Sequence, residues 1–223
     1  MAEPLFNRLA LVGIGLIGSS VARVAKLRGD IAGEIVANAR TEATLARVTE
    51  LGIADRCEID PVRAVEGADC VILCAPVGAY AGLAERIGPH LAPGAILTDV
   101  GSTKQSVIRD VAPFVPDHVH FIPGHPMAGT EFSGPDAGFA ELFQGRWCLL
   151  TPLPGTDEDA VERLSEFWRR CGAQVSLMEP AHHDRVVAIV SHLPHLIAFT
   201  ICGTADDLAD ETRQEVLQFA ASG

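Results

Sequence analysis

The sequence is poor in aromatic and in basic residues. Only 5% of its 223 residues are aromatic, whereas 48% are hydrophobic. This composition disfavours an aromatic-rich β-sandwich and favours an α/β protein with a buried parallel sheet. Seventeen Lys and Arg residues stand against 29 Asp and Glu residues, so the formal net charge is −12. We therefore expect neither nucleic acid nor an anionic membrane as a partner, and a polyanionic ligand would have to be held by local donors.

Paired cysteines and targeting segments are also missing. The six cysteines include no C-x-x-C pair, so we expect them to be reduced and structural in a cytoplasmic protein. The N-terminus lacks the cationic segment and long apolar core of a signal peptide. No window of the sequence is expected to reach the length of a membrane span.

Short apolar runs alternate with helical patterns over most of the chain. Strand-like runs occur at 9–15, 34–39, 68–76, 94–100, 118–124, 146–152 and 173–178. Strands alternating with helices predict right-handed crossovers and a Rossmann-like, doubly wound parallel sheet. After Glu179 the pattern is helical only, and Pro194 should kink this helix or break one of its turns. We assign residues 180–223 to the start of an all-helical domain.

The glycines of "GIGLIGSS" follow the first predicted strand directly. Gly13, Gly15 and Gly18 form G-x-G-x-x-G, in which the first permits a tight turn, the second lets a pyrophosphate approach the backbone, and the third lets the helix pack on the strand. Leu16 and Ile17 open the helix, whose free N–H groups can hold phosphate. A glycine-rich turn without a ligand is the alternative. The strand signals that follow favour a dinucleotide-binding domain over residues 1–179.

The second predicted strand ends without the acidic residue that would bind the adenosine ribose. Ala39 stands where Asp is expected, and Arg40 follows it. The absence of an acidic residue and the adjacent guanidinium weakly favour NADP, because an arginine can accommodate its 2′-phosphate. Alternatively, Arg40 is exposed and stacks on the adenine of either cofactor. The sequence predicts NAD or NADP without deciding between them.

Polar side chains follow two later strands. Ser102 and Thr103 lie where a helix N-cap belongs, and His125 stands between Gly124 and Pro126, which should present it from a defined turn. Ligands bind at the carboxyl edge of such sheets, so a hydrogen bond between Ser102 and His125 across the crevice is geometrically feasible. Taken singly, the serine could be a cap and the histidine a surface residue.

A third cluster, "SHLPH", occupies residues 191–195. Ser191 and His195 are four residues apart and share one helix face, whereas His192 is turned about 100° from Ser191. No HExxH motif or carboxylate set accompanies them, so we expect no metal site. His182 and His183 are expected at the surface.

In this order and spacing, "GIGLIGSS", "DVGSTK", "GHPMAGTEFSG" and "SHLPH" resemble the prephenate/arogenate dehydrogenase family, the cyclohexadienyl dehydrogenases of tyrosine biosynthesis. The resemblance runs over essentially the whole chain. It implies a Rossmann-like domain, a helical dimerisation domain and a homodimer. The implied reaction is the oxidative decarboxylation of prephenate to 4-hydroxyphenylpyruvate with NAD or NADP. Arogenate is expected as a second substrate.

The resemblance also implies roles for individual residues. His125 would form a hydrogen bond with the ring hydroxyl of the substrate and accept its proton as hydride leaves. Ser102 would orient that histidine and the hydroxyl. Thr130, Ser191 and His195 would line the substrate pocket. Family members continue beyond "QFAASG" into a segment with a substrate-binding arginine, so we expect this chain to be a fragment.

Three other functions fit parts of the pattern. A strict arogenate dehydrogenase shares every motif. A β-hydroxyacid dehydrogenase would use a lysine base on the following helix, but no lysine occurs between residues 105 and 223. A non-catalytic dinucleotide-binding sensor would leave His125 and Ser102 without a role.

Overall fold

The structure is a computed structural model that describes residues 3–207. Its strands are β1 (Phe6–Val12), β2 (Ala32–Asn38), β3 (Arg56–Glu58), β4 (Cys70–Leu73), β5 (Ile96–Asp99), β6 (His120–Phe121), β7 (Gly124–Pro126), β8 (Trp147–Leu150) and β9 (Gln174–Leu177). Its helices are α1 (Leu16–Arg28), α2 (Glu42–Glu50), α3 (Pro61–Val65), α4 (Tyr80–Ile87), α5 (Lys104–Val111), α6 (Glu158–Arg170), α7 (Pro180–Val187) and α8 (Leu193–Asp206). The chain divides into two compact units between His183 and Asp184.

Six of the described strands form one parallel sheet in the order β3-β2-β1-β4-β5-β6. Apolar side chains of α1, α2 and α6 pack in one buried cluster with strand residues, and those of α3, α4 and α5 pack in a second. Burial on both faces explains why the central strands are continuous apolar runs instead of alternating ones. The predicted fold class, a Rossmann-like doubly wound sheet followed by helices, is confirmed.

Two short elements escaped the sequence analysis. Strand β3 has three residues and helix α3 has five. Segments this short do not show the hydrophobic periodicity by which a strand or a helix is recognised in a sequence. The structure therefore places the strand predicted at 68–76 fourth in the chain and at the centre of the sheet, beside β1. The six cysteines all lie within the described residues and are free, and Cys202 is exposed.

The run predicted as one strand at 118–124 is divided between two sheets. Strand β6 pairs with β5, whereas β7 pairs antiparallel with β8 in a separate sheet of order β7-β8-β9. Pro123 lies between them and has no N–H to donate to a ladder. The prediction that His125 is presented from a turn was therefore wrong, because it lies on β7 opposite Leu149.

The helical region is one long helix with a local irregularity. A π-turn over Ala188–His192 joins α7 to α8, and its last bond runs from Leu193 N–H to the Ala188 carbonyl. This irregularity just before Pro194 confirms the predicted break in helical geometry. Because the helix continues through it, the segment Pro180–Thr204 is 25 residues long and apolar enough to cross a membrane. The expectation that no window reaches that length was wrong.

Length and composition alone do not identify a membrane span, because apolar helices that pack against other protein pass the same test. Within residues 184–207, large apolar side chains are exposed to solvent. They are Ile189, Val190, Leu193, Leu196, Ile197, Phe199 and Ile201. Exposed apolar side chains in this number are typical of a surface that packs against other protein or against a membrane.

A buried ion pair joins the end of β5 to α5 and to β7. The Lys104 ammonium lies 2.6 Å from a carboxylate oxygen of Asp99, and both side chains are fully buried. The same ammonium donates to the Gly124 carbonyl, and Asp99 accepts hydrogen bonds from the backbone N–H groups of Gly101 and Gly124. Burial raises the pKa of Asp99, and the Lys104 ammonium and the two N–H donors oppose that rise.

Removing one member of this pair should be costly. Lys104→Met leaves the Asp99 carboxylate buried without its cation, so we expect the free energy of unfolding to fall by about 3–5 kcal/mol. Adding Asp99→Asn removes the stranded charge but keeps an oxygen for the backbone donors, so the double variant should be more stable than Lys104→Met alone. Urea unfolding of the unchanged protein, both single variants and the double variant measures the coupling. Additive losses would show that the two side chains act independently.

Candidate functional site

A cavity of about 850 Å³ opens at the carboxyl edge of the parallel sheet. Its lining comes from the residues that follow β1, β2, β4 and β5, together with residues from β7 and the loop after it. The sheet order reverses direction between β1 and β4, and ligands of doubly wound folds bind at this kind of switch point. The volume lies at the large end of the range for ligand pockets, roughly 300–1,000 Å³.

Each glycine of the motif has a distinct steric setting. Gly13 has a φ of +100°, and a Cβ there would lie 2.6 Å from the backbone N of Ala75. A Cβ on Gly18 would lie 2.5 Å from the carbonyl oxygen of Gly13, so α1 can pack this closely only with glycine there. A Cβ on Gly15 would have no atom within 4 Å, and this residue lines the cavity. This geometry agrees with the three roles expected from the sequence.

The start of α1 is suited to an anion. Gly15 is the N-cap and offers no side-chain oxygen to the first N–H groups, and no acidic residue occupies the first turn. Ile17 lines the cavity, while Leu16 and Gly18 lie on either side of it in the same turn. Free N–H groups and the helix dipole together favour a phosphate at this position. The residues present therefore fit a dinucleotide.

The charge of the lining differs from that of the whole protein. Although the net charge is −12, no Asp or Glu occurs among the described residues that line the cavity, and Arg40 contributes a guanidinium. Arg40 is exposed and follows Ala39 at the end of β2, where the sequence predicted it. An anionic ligand is therefore not opposed by a carboxylate in the wall.

The loop after β7 returns to the glycine motif and forms part of the wall. Its residues Gly134 and Pro135 line the cavity. The Arg23 guanidinium donates to the Pro135 carbonyl at 3.3 Å, and Arg47 pairs with Asp136 at 2.6 Å. Because the Arg47–Asp136 pair is exposed, it stabilises the loop only weakly. The loop is nevertheless held against α1 by contacts at several points.

His125 and Ser102 both line the cavity, as predicted. His125 is 8% exposed, and Ser102 is exposed to solvent. Within the described residues, however, the structure contains no hydrogen bond between them. Ser102 is not the N-cap of α5 either. That position belongs to Thr103, whose hydroxyl bonds that of Ser106 at 2.7 Å.

His125 contacts a second histidine, which was predicted to lie at the surface. His183 Nε2 lies 3.0 Å from His125 Nδ1, and His183 is fully buried. The expectation that His183 is a surface residue was therefore wrong, whereas its neighbour His182 is exposed. The two paired histidines are 58 residues apart, and no local pattern signals such a contact. Asp99 and Lys104 were also missed, although both stand in the quoted "DVGSTK".

The remaining predicted residues lie elsewhere. Thr130 is exposed on the loop after β7 and is not among the cavity-lining residues, and its hydroxyl accepts from the backbone N–H of Phe132 at 3.3 Å. In the second unit, His195 Nδ1 lies 2.8 Å from the Ser191 carbonyl oxygen, which is consistent with the shared helix face. No group of three or more potential metal ligands occurs among residues 3–207.

Protein-family comparison assigns both parts of the chain. Residues 21–177 match the nucleotide-binding domain of prephenate dehydrogenase, and residues 179–223 match the dimerization domain of prephenate dehydrogenase. The chain belongs to the prephenate dehydrogenase family. The predicted family is therefore confirmed. The nucleotide-binding match contains most of the cavity lining, and the dimerization match contains the seven exposed apolar side chains of residues 184–207 named above.

Individual family members are similar over most of this chain. It is 38% identical to the cyclohexadienyl dehydrogenase of Zymomonas mobilis, with 97% of this chain and 73% of that protein aligned. It is 31% identical to the prephenate dehydrogenase of Bacillus subtilis, of which it spans 58%. The crystal structure of prephenate dehydrogenase from A. aeolicus in complex with hydroxyphenyl propionate and NAD+ superimposes with a TM-score of 0.83 at 30% identity, covering 92% of this chain and 71% of that one.

Two glycine variants should separate cofactor contact from packing. Gly15→Ala places a methyl group in open cavity space, so we expect cofactor affinity to fall about tenfold or more, with a stability loss of at most about 1 kcal/mol for the changed cap. Gly18→Ala pushes a methyl group against a backbone oxygen and should lower the free energy of unfolding by about 1–3 kcal/mol.

Calorimetric titration with NAD and NADP, beside urea unfolding without cofactor, measures both effects in each variant. Unchanged cofactor affinity in Gly15→Ala would place the pyrophosphate away from this turn. Unchanged stability in Gly18→Ala would mean that the turn relaxes around the added methyl group.

Proposed function

We propose that this chain carries the catalytic centre of a prephenate dehydrogenase, which converts prephenate to 4-hydroxyphenylpyruvate and CO₂ with a nicotinamide dinucleotide. The observation that carries the proposal is the placement of His125. A largely buried histidine lines the same cavity as the glycine motif, so a proton acceptor and a dinucleotide can meet the same substrate. An imidazole titrates near neutral pH and suits the task of general base.

The reaction requires one proton acceptor from the protein. Hydride leaves the ring carbon that bears the hydroxyl group, and His125 takes the hydroxyl proton. A bound nicotinamide dinucleotide would supply the hydride acceptor. The ring carboxylate then leaves as CO₂, its bonding electrons make the ring aromatic, and the proton returns to the phenolate oxygen. Aromatisation supplies much of the driving force, so the protein contributes alignment and proton transfer.

Other residues have proposed roles that rest on the family resemblance. Ser102, which lines the same cavity as His125, would orient that histidine and the substrate hydroxyl. Thr130, Ser191 and His195 would contact the substrate. We also propose a homodimer formed through the helical region, which the dimerization-domain match and the exposed apolar side chains support. The domain boundary would lie between residues 179 and 180, and the free cysteines favour a cytoplasmic location.

Substrate choice is not determined by the chemistry at His125. Prephenate and arogenate carry the same ring, so the same base serves both. Measuring kcat/KM of the full-length protein with each substrate and each cofactor, by following reduced nicotinamide, separates prephenate dehydrogenase from a strict arogenate dehydrogenase. Absence of turnover with either substrate would leave a non-catalytic dinucleotide-binding sensor.

His125→Asn should separate catalysis from cofactor binding. Asn keeps a polar side chain but cannot accept the proton, so we expect kcat to fall by about 10²–10⁴, the usual contribution of a positioned general base. The dissociation constant of the cofactor should stay the same. Steady-state kinetics and calorimetry on the purified variant provide both numbers, and a near-normal kcat would refute the assignment of His125 as the base.

Cofactor preference should depend on Arg40. We propose that its guanidinium contacts the 2′-phosphate of NADP, because it stands at the cavity end of β2, where Ala39 replaces the acidic residue that would favour NAD. Arg40→Ala should then weaken NADP binding more than NAD binding. Dissociation constants of NAD and NADP, measured for the unchanged protein and for Arg40→Ala, test this contact. Equal losses would mean that Arg40 only stacks on the adenine.

A further inference from the structure

The contact between His125 and His183 links the proposed base to a second buried ring. The two rings are inclined by 66° with centroids 5.1 Å apart, and Nδ1 of His125 lies 3.0 Å from Nε2 of His183. One histidine comes from β7 and the other from the first turn of α7, and both belong to the first compact unit. Such a contact, between buried rings on separate elements, fixes one ring against the other.

A hydrogen bond between two neutral imidazoles has two arrangements. If His125 donates from Nδ1, its Nε2 carries a lone pair and can accept a proton. If His183 donates instead, Nε2 of His125 already carries the hydrogen and cannot serve as a base. The partner of one ring nitrogen therefore sets the chemistry of the other. Only the first arrangement is compatible with His125 as the proton acceptor.

The backbone around His183 holds its ring in place. The Glu179 carboxylate accepts from the backbone N–H groups of Ala181 and His182 at 3.0 and 2.8 Å, which caps the start of α7. The backbone N–H of His183 donates to the Glu179 carbonyl at 2.9 Å. His183 is therefore held by the first turn of a capped helix, and its side chain is fully buried.

We propose that His183 is a positioning residue that accepts a hydrogen bond from Nδ1–H of His125. It thereby holds the neutral His125 ring in the tautomer whose Nε2 can take the substrate proton. When that proton arrives, the hydrogen bond persists and stabilises the imidazolium of His125. This inference rests on the proposed function, since it assigns a partner to the proposed base.

The tautomer can be measured without any turnover. In the full-length protein with ¹⁵N-labelled histidine, long-range ¹H–¹⁵N spectra distinguish a protonated from a bare ring nitrogen. The His125→Asn and His183→Gln spectra assign the two rings. At a pH where both rings are neutral, we expect hydrogen on Nδ1 of His125 and a bare Nε2. A spectrum with hydrogen on Nε2 of His125 would overturn the proposal.

Three substitutions test the same idea kinetically. His183→Leu removes the acceptor, and we expect kcat to fall about 10- to 100-fold, part of the contribution of the base, with KM and cofactor affinity changed less than about threefold. His183→Gln offers an amide oxygen near the position of Nε2 and should restore most of kcat. His182→Leu, on the exposed neighbouring histidine, is the matched control and should leave kcat unchanged.

The outcomes distinguish this inference from the function on which it rests. If His125→Asn is inactive but His183→Leu keeps a near-normal kcat, His183 has no positioning role, while His125 remains the proposed base. Equal losses in His183→Leu and His183→Gln would also overturn the role, because the acceptor would not matter. If His125→Asn itself remains active, the proposed base fails. If His183→Leu does not fold, the tautomer of His125 measured in the unchanged protein still tests the proposed role of His183.

Discussion

The buried pair of Asp99 and Lys104 joins the elements that make the candidate site. Its carboxylate ends β5, its ammonium begins α5, and both contact the backbone of Gly124 on β7. Two charges without solvent are stable only when their hydrogen-bonding groups are satisfied. Here the two backbone N–H donors and the Gly124 carbonyl contribute to that satisfaction. This buried pair thus ties the loop with Ser102 to the strand with His125, in addition to the pairing of that strand with β8.

Although the protein is acidic, its cavity is suited to an anion. Backbone N–H groups face the cavity, and carboxylates are absent from its described lining. The described cavity lining holds no Asp or Glu, and the glycine turn presents N–H groups at the start of α1. Acidic residues lie elsewhere, for example paired with Arg8 and Lys26 at the surface. Net charge is therefore a poor guide to the ligands of a site, because the local field depends on a few groups within a Debye length.

The parts of the structure that the sequence could predict are those determined locally. The glycine motif could be interpreted because each role, a positive φ, an open approach or a close packing contact, is a property of one residue and its turn. The alternation of strands and helices predicted the sheet for the same reason. Strand β7 was lost inside a longer apolar run, because its departure into a second sheet depends on Pro123 and on pairing with β8, which lies more than 20 residues later.

The site was predictable only in part. The quoted motifs contain His125, Ser102, Asp99 and Lys104, but nothing in a motif says which side chains meet. His183 is the clearest example. His182 and His183 are adjacent and look alike in sequence, and only the orientation of α7 about its axis buries one and exposes the other. Prediction of such a pair needs the packing of elements far apart in the chain.

An imidazole as the partner of the proposed base is consistent with the composition of the cavity wall. The proposed substrate is a dicarboxylate, and the described lining of the cavity contains no Asp or Glu. A carboxylate in the place of His183 would orient His125 equally well, but in a site of low dielectric its charge would repel the substrate. An imidazole supplies the same acceptor without that repulsion. The stabilisation that a carboxylate would give to the imidazolium is smaller here, and the substrate hydroxyl must be aligned correspondingly well for its proton to transfer.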